Sequence, residues 1–239
     1  MLRISKRAIV LLIIILTALW IGAGTKMCTA RNVFEKDTYS FDGSSFTMKT
    51  MAADIEITEA DTDRVKLVID GRTEYLEAGK STKSRKAENV TVTIPAKLDS
   101  LKAETVSGDI SAYGLTAGET ELSSVSGSVN GSDKGQADSV TLETVSGSIN
   151  FESHSKGDLT AQSVSGSINV STDAENVKTN SVSGSIDIDT NGHDYSLTYS
   201  TISGTWSYRN AGGGGKGSSG EGSYGHINAE TVSGSINID

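Results

Sequence analysis

Residues 143–151 read Glu-Thr-Val-Ser-Gly-Ser-Ile-Asn-Phe, and this phrase decides the fold because its centre recurs seven times along the chain. Successive copies lie 18, 19 or 20 residues apart, except for a last interval of 30 residues. A fixed short period is typical of units that cannot bury their own apolar face and must stack on their neighbours. We predict that the glycines of the seven copies are structural corners: Gly108, Gly127, Gly147, Gly166, Gly184, Gly204 and Gly234.

Apolar or small residues alternate with polar ones on both sides of each corner glycine. Around Gly147, Val140 and Leu142 precede the glycine at alternate positions, and Ile149 and Phe151 follow it. Alternation with a period of two is typical of a half-buried β-strand, so each unit is predicted to hold two strands. The Ser-Gly pair between the strands suits a corner because glycine takes a positive φ without steric cost.

The predicted fold is all-β, a parallel β-helix or β-solenoid with coils of about 19 residues. Strands that recur at this spacing leave enough chain for the crossover that parallel pairing needs, and such crossovers favour right-handed winding. The alternative is a sandwich of many short strands at regular spacing. Sandwich strands do not normally carry the same repeated pattern, so the solenoid is preferred.

The chain is predicted to divide into five regions: a basic cytoplasmic stub at 1–7, a transmembrane anchor or signal segment at 8–24, a linker at 25–39, an irregular N-terminal coil with a strand-rich insertion at 40–100, and the solenoid repeats at 101–239 with a glycine-rich loop at 211–225. In the fourth region, an eighth unit has Ala53 at the glycine position. The insertion contains two strand patterns, Val65–Ile69 and Val90–Ile94, and we expect the polar segment Lys80–Lys86 to be a loop.

An apolar run from Ala8 to Ala23 follows the basic residues Arg3, Lys6 and Arg7. Basic residues stay on the cytoplasmic side of a membrane, so the chain after Gly24 is predicted to be extracytoplasmic. The run is short for a spanning helix, long for a signal-peptide core, and lacks a clean cleavage site. We therefore expect a single-pass membrane protein, with secretion after signal cleavage as the alternative.

The charge of the exported part is strongly negative. Four of the 21 basic residues and none of the 30 acidic residues lie in the first 30 positions, so the remainder carries a net charge of −13. Nucleic-acid binding requires basic stripes, and adsorption to an anionic membrane requires basic clusters. We therefore expect no nucleic-acid partner.

The sequence offers no constellation of catalytic residues. His154, His193 and His226 fall in different units without the spacing of a zinc site, and the many serines repeat as structure. We expect no catalytic residue, no cofactor and no metal, and the protein is not predicted to be an enzyme. Residues 187–192 match the first half of a calcium loop, but Thr198 replaces the final glutamate, so a tight Asn-Gly turn is the alternative.

One polar position repeats three residues after the corner glycine, where Asn150, Asn169, Asp187 and Asn237 fall in register. Stacked amides can form a ladder of hydrogen bonds from coil to coil. The same row is also a regular stripe of groups that could bind sugar hydroxyls. Both interpretations remain open at the level of sequence.

The repeated phrase Glu-Thr-Val-Ser-Gly-Ser-Ile-Asn-Ile at 230–238, after a single hydrophobic segment and a less regular strand-rich region, resembles the bacterial adhesin family of β-strand-repeat domains of unknown function, common in Gram-positive bacteria. The resemblance covers residues 40–239. It implies a membrane-anchored repeat domain and carries no catalytic residues. Some relatives resemble products of cell-envelope stress operons.

These observations predict a non-catalytic, membrane-anchored, extracytoplasmic β-solenoid with an adhesin-like binding or spacing role in the cell envelope. Its expected partners are the membrane, through the N-terminal helix, and a cell-envelope glycan or another membrane protein. The alternative is an accessory in cell-envelope stress sensing that contacts another membrane protein, and a carbohydrate-active β-helix enzyme ranks last. Because the final unit ends in apolar residues with no cap after it, we also expect end-to-end self-association.

The predicted orientation is open to test with protease. Because basic residues precede the apolar run, protease added to intact protoplasts should digest residues 31–239, as followed with an antibody to the repeats. A cytoplasmic marker protein should survive in the same sample. Full protection of the repeats would show the opposite orientation.

Overall fold

The computed structural model describes residues 36–208, 211–219 and 222–239, and the part of the chain that it describes contains strands and no helix. The predicted cytoplasmic stub, membrane segment and most of the linker lie outside the described residues. Within the described ranges, no helix is long and apolar enough to cross a membrane. Residues Asp37–Asp239 form one compact unit.

The strands are short, and most of those in the repeated coils show the predicted alternation. In chain order they are β1 (Asp37–Phe41), β2 (Ser45–Thr50), β3 (Asp54–Ala60), β4 (Val65–Ile69), β5 (Arg72–Leu76), β6 (Lys80–Ser84), β7 (Asn89–Pro95), β8 (Ser100–Thr105), β9 (Ile110–Leu115), β10 (Glu119–Ser124), β11 (Val129–Asp133), β12 (Ser139–Thr144), β13 (Ile149–Ser153), β14 (Asp158–Ser163), β15 (Ile168–Thr172), β16 (Asn176–Ser181), β17 (Ile186–Asp189), β18 (Tyr195–Thr201), β19 (Trp206–Tyr208), β20 (Ala211–Gly213), β21 (Lys216–Ser219), β22 (Gly225–Thr231) and β23 (Ile236–Ile238).

The strands form two sheets. Sheet A has eleven strands in the order β21-β18-β22-β16-β14-β12-β10-β8-β2-β1-β6, and sheet B has twelve in the order β20-β19-β23-β17-β15-β13-β11-β9-β3-β7-β4-β5. Eight coils each give one strand to each sheet, and the coils pair in parallel. The all-β, parallel-rich architecture that the repeat predicts is therefore confirmed, in a form consistent with a β-solenoid.

The core lies between the sheets and is built from stacked equivalents. Leu122 of β10 is in register with Ala103 of β8 and with Leu142 of β12, and all three are buried. A fully buried aliphatic side chain contributes about 1.5–3 kcal/mol. Each coil buries only a few such side chains, so stability must accumulate along the stack of coils.

Extra strands close the N-terminal end of both sheets. Strands β1 and β6 extend sheet A in antiparallel fashion, and β7, β4 and β5 extend sheet B. The expectation of a loop at Lys80–Lys86 is wrong, because Lys80–Ser84 is the edge strand β6. Its side chains are largely exposed, so it lacks the apolar alternation that marks a strand in sequence. Lysines on an edge strand hinder pairing with another chain.

The last unit in sequence is not the last in space. Strand β22 lies between β16 and β18, and β23 lies between β17 and β19, so the final coil is inserted between two earlier ones. The final unit was expected to form an exposed end, and this is wrong, because parallel neighbours cover it on both sides. The reason for expecting end-to-end association is thereby removed, and the association itself remains untested.

The coil at the far end carries aromatic residues where other coils carry aliphatic ones. The rings of Tyr199 and Trp206 stack with centroids 4.1 Å apart, and Tyr208 is buried nearby. Beyond this coil, β20 and β21 add antiparallel edge strands, so the glycine-rich segment expected as a loop contains two short strands. Its glycines permit close packing, since a Cβ atom on Gly217 would lie 2.4 Å from the Tyr199 hydroxyl oxygen.

The position of the final coil between two others predicts the effect of a charge placed in it. Ile236 is 1% exposed, so Ile236→Lys should lower the free energy of unfolding by about 4 kcal/mol or more, because it buries an unpaired charge. The control is Ser235→Lys at the exposed neighbouring position, for which we expect a loss of about 1 kcal/mol or less. Urea denaturation measures both. Equal stability of the two variants would contradict the inserted position.

Candidate functional site

The seven predicted corner glycines lie in the bends between sheet A and sheet B. None of them has a positive φ, so the conformational reason that we gave for glycine is wrong. The cause is close approach between coils. A Cβ atom on Gly166 would lie 1.7 Å from the carbonyl oxygen of Gly147, and the corresponding distances at the other six corners are 1.8–2.2 Å. No side chain fits there.

A buried serine or threonine three residues before each glycine stabilises the corner through hydrogen bonds. The N–H of Gly147 donates to Thr144 Oγ1 at 3.0 Å, and this hydroxyl donates to the carbonyl of Gly127 in the preceding coil, also at 3.0 Å. Ser124 makes the same pair of bonds. Sequence reasoning missed this cap, although its visible signal was a Ser or Thr three residues before every corner glycine.

In several coils the serine directly before the corner glycine also bonds to the preceding coil. Serines stacked in this way could bond to each other, but Ser165 Oγ donates to the carbonyl of Val145 at 3.2 Å, and Ser146 and Ser183 make the equivalent bond from their own coils. The main chain explains the difference, because each coil presents a carbonyl directly beside the hydroxyl of the next. These serines are therefore structural.

The amide row on the outer face of sheet B is continuous over three coils. Asn150 Nδ2 donates to Asn130 Oδ1 at 2.8 Å, and Asn169 Nδ2 donates to Asn150 Oδ1 at 2.8 Å. Asp187 and then Asn237 follow in register. We call the row of Asn130, Asn150, Asn169, Asp187 and Asn237 the amide stripe. The predicted ladder is therefore present, and it lies on a face that solvent reaches.

An open depression of about 350 Å3 lies along the far part of the stripe. It is lined by polar residues of the stripe and of the adjacent row, and by three apolar residues: Asn169, Asp187, Asn237, Ser171, Asp189, Asp239, Phe151, Val170 and Ile188. The polar groups of this depression are amides, hydroxyls and carboxylates. It therefore offers acceptors and donors but no positive charge.

The outer face of sheet A carries a row of alternating charge. Glu104 accepts from Lys49 at 2.6 Å and from Lys102 at 3.0 Å, and Lys102 also pairs with Glu121. Burial raises the pKa of Glu104, but the two lysines outweigh burial and lower the pKa below its usual value. In the coil that follows Glu121, burial and then the charge of Glu121 raise the pKa of Glu143.

Two of the three histidines meet at one carboxylate. His154 Nδ1 lies 3.6 Å from Asp173 Oδ2, and His193 Nε2 lies 3.3 Å from Asp173 Oδ1. Asn191 Nδ2 donates to Asp173 Oδ1 at 2.9 Å, and the ring of Tyr224 stacks on His193 with centroids 3.9 Å apart. Sequence analysis treated these residues separately, because it had no means to align loops from different coils.

The electrostatics of this histidine cluster favour an ionised carboxylate. Burial raises the pKa of Asp173, but Asn191, His154 and His193 together outweigh burial and lower the pKa below its usual value. His226 lies elsewhere, with Nδ1 2.9 Å from Ser196 Oγ. Within the described ranges, no group of three or more His, Cys, Asp or Glu residues is arranged to hold a metal ion.

In the segment 187–192, which matches half of a calcium loop, residues 187–189 belong to β17 and a tight turn at Asn191-Gly192 follows. Asn191 has φ 50° and Gly192 has φ 79°, and the N–H of His193 donates to the carbonyl of Thr190 at 2.9 Å. Positive φ at two successive residues is the conformation that Asn-Gly pairs favour.

Comparison with known proteins gives one positive finding. The model of a family described as Toastrack DUF4097 matches residues 80–239, about two thirds of the chain. No curated protein and no solved structure matches significantly.

The corner geometry predicts unequal costs for two glycine substitutions. Gly166→Ala should lower the free energy of unfolding by about 3 kcal/mol or more, because its methyl group collides with main chain that the stacking fixes. The control is Gly71→Ala, where φ is 80° but no atom lies within 4 Å, and the expected cost is about 1–2 kcal/mol. Denaturant titration gives both values. A smaller loss at Gly166 would contradict the contact.

Proposed function

We propose a non-catalytic binding role in the cell envelope for this chain. The chain belongs to the Toastrack DUF4097 family of β-repeat domains of unknown function. The chain is held at the membrane by residues 8–24, and the repeat domain is extracytoplasmic. The bound partner is a hydroxyl-rich glycan, which lies along the amide stripe of sheet B. The solenoid also spaces this surface away from the membrane.

The observation that carries this proposal is the hydrogen-bonded row Asn130–Asn150–Asn169. A carboxamide has two N–H donors and an oxygen with two lone pairs, so the ladder bonds leave donors and acceptors on every coil. The parallel strands repeat them at about 4.8 Å. Because the ladder fixes the amides in one orientation, little side-chain entropy is lost when a polymer binds.

Charge limits the class of glycan. The stripe continues into Asp187, with Asp189 and Glu152 in the row beside it. Carboxylates accept hydrogen bonds from hydroxyl and ammonium groups, but they repel other anions. The proposed ligand is therefore a neutral or amino-sugar polymer and not an acidic one. The negative charge of the exported part acts in the same direction.

Glu143 favours a second candidate, contact with another membrane protein in envelope-stress sensing. Its pKa is raised by burial and by Glu121 on the outer face of sheet A. An arginine or lysine from a partner would relieve this repulsion through a charge-assisted pair. The row of lysines and glutamates beside it would fix the register of such a partner.

Binding to defined polymers tests the glycan proposal. The ectodomain, residues 31–239, should sediment with insoluble chitin or cellulose and should not bind soluble alginate. The double variant Asn150→Ala/Asn169→Ala should weaken binding about tenfold or more, as expected when central contacts are lost. Its matched control is Thr141→Ala/Thr160→Ala, two outward positions on sheet A.

Thermal unfolding of both double variants shows whether either loses its fold. Equal binding by both folded variants would overturn the role of the stripe. Cross-linking in intact membranes separates the candidates further, because capture of a membrane protein through Glu143→Cys would support the second one. A screen for glycan cleavage tests the enzyme alternative, and sedimentation of the ectodomain at high concentration tests self-association.

A further inference from the structure

The turn at Asn191-Gly192 holds a side-chain amide beside a main-chain nitrogen in an exposed position. Gly192 has no side chain to shield its nitrogen. Among the described residues, no partner accepts a hydrogen bond from its N–H, whereas the neighbouring N–H groups of Asn191 and His193 are bonded to Asp189 Oδ1 and to the Thr190 carbonyl. Asn-Gly pairs are the pairs in which this nitrogen most easily reaches the side-chain carbonyl carbon.

The preceding coil, that of β15, supplies both groups that bond the Asn191 amide. Ser171 Oγ donates to Asn191 Oδ1 at 2.9 Å, and Asn191 Nδ2 donates to Asp173 Oδ1 at 2.9 Å. A donor at the carbonyl oxygen stabilises the negative charge that develops there when a nucleophile adds to the carbon. The carboxylate on the other side orients the nitrogen that would leave, and His154 and His193 flank that carboxylate.

We propose that Asn191 is a site of self-promoted deamidation. The nitrogen of Gly192 forms a bond to Cγ of Asn191 and gives up its proton, while negative charge collects on Oδ1 beside the Ser171 hydroxyl. The Cγ–Nδ2 bond then breaks, and Nδ2 takes up a proton and departs as ammonia. Water opens the resulting five-membered imide at either carbonyl, which leaves aspartate or isoaspartate at position 191. No oxidant or reductant is needed.

The product changes the histidine cluster. Position 191 loses the N–H donor to Asp173 and gains a carboxylate facing it, so attraction between the two side chains becomes repulsion. The tie between the Asn191 turn and the coil of Asp173 is weakened, close to the far end of the amide stripe. In a protein that persists outside the cytoplasm, the fraction of molecules converted at position 191 would therefore increase with time.

The chain contains its own control, the pair Asn130-Gly131. Gly131 is buried in the centre of β11, between β9 and β13, and Asn130 Oδ1 accepts from Asn150 in the ladder. An extended strand held from both sides keeps the Gly131 nitrogen away from the Asn130 side chain. The two pairs should react alike in the unfolded chain and differently in the folded one.

The experiment incubates the ectodomain, residues 31–239, at neutral pH, both folded and in urea. Peptide mass mapping with an isoaspartate assay follows the reaction at positions 191 and 130. In urea the two sites should react at similar rates. In the folded protein, position 191 should react at least about tenfold faster than position 130. Ser171→Ala should slow the reaction at 191 about five- to tenfold in the folded protein alone, the loss of one hydrogen bond. Ser132→Ala, the equivalent serine of β11, should not.

Two results would overturn the proposal. One is a rate at position 191 in the folded protein that is tenfold below its rate in urea, which would show that the turn protects Asn191. The other is an unchanged rate in Ser171→Ala, with circular dichroism showing that the variant is folded, which would show ordinary chemistry of an exposed Asn-Gly pair.

Discussion

The contact between successive corners is the constraint on which the rest of this structure depends. A carbonyl oxygen of one coil occupies the space that a Cβ atom of the next would need, as at Gly147 and Gly166. The buried hydroxyl of a Ser or Thr bonds both coils at that point, with Ser163 joining the Gly166 N–H to the Gly147 carbonyl. Only glycine permits this approach. Ala53 takes the corner position in the first coil, which has no coil before it to bring a corner carbonyl against a Cβ atom.

Because the corners fix the register, the surface is organised in rows. Side chains at one offset from the glycine appear at the same height in every coil, so Asn130, Asn150 and Asn169 become a ladder although each is far from the next in sequence. Differences between coils then change the charge and polarity of the side chains along each row. Sheet A carries its lysines and glutamates near Lys49 and Glu104, whereas the stripe on sheet B changes from amides to the carboxylate of Asp187. A surface of this kind suits an extended partner better than a small substrate.

The sequence was sufficient for features that depend on local pattern, and insufficient for features that depend on which elements meet. Alternation identified both strands of each coil and the register of Phe46, Met48 and Ile55 with later units. It missed β6, whose polar side chains leave no alternation. It misjudged the corner, because a glycine required by positive φ and one required by close packing look alike in sequence. It could not bring His154 and His193 to Asp173, since loops have no repeated pattern that would align them.

The order of the coils in space was the main feature that the sequence did not predict. The size of the side chains explains the order that is observed. Every unit carries the same pattern, so alternation alone allows any unit to stack on any other. The unit at 195–208 differs, because its inward positions hold Tyr199, Trp206 and Tyr208. In the structure Tyr199 is in register with Ala229 on one side and Gly217 on the other, the smallest neighbours available. Without the inserted coil, Tyr199 would face Thr179 of β16, whose side chain is larger than that of Ala229. The final unit, with Ala229, fits between them, and the 30-residue interval supplies the chain needed to return there.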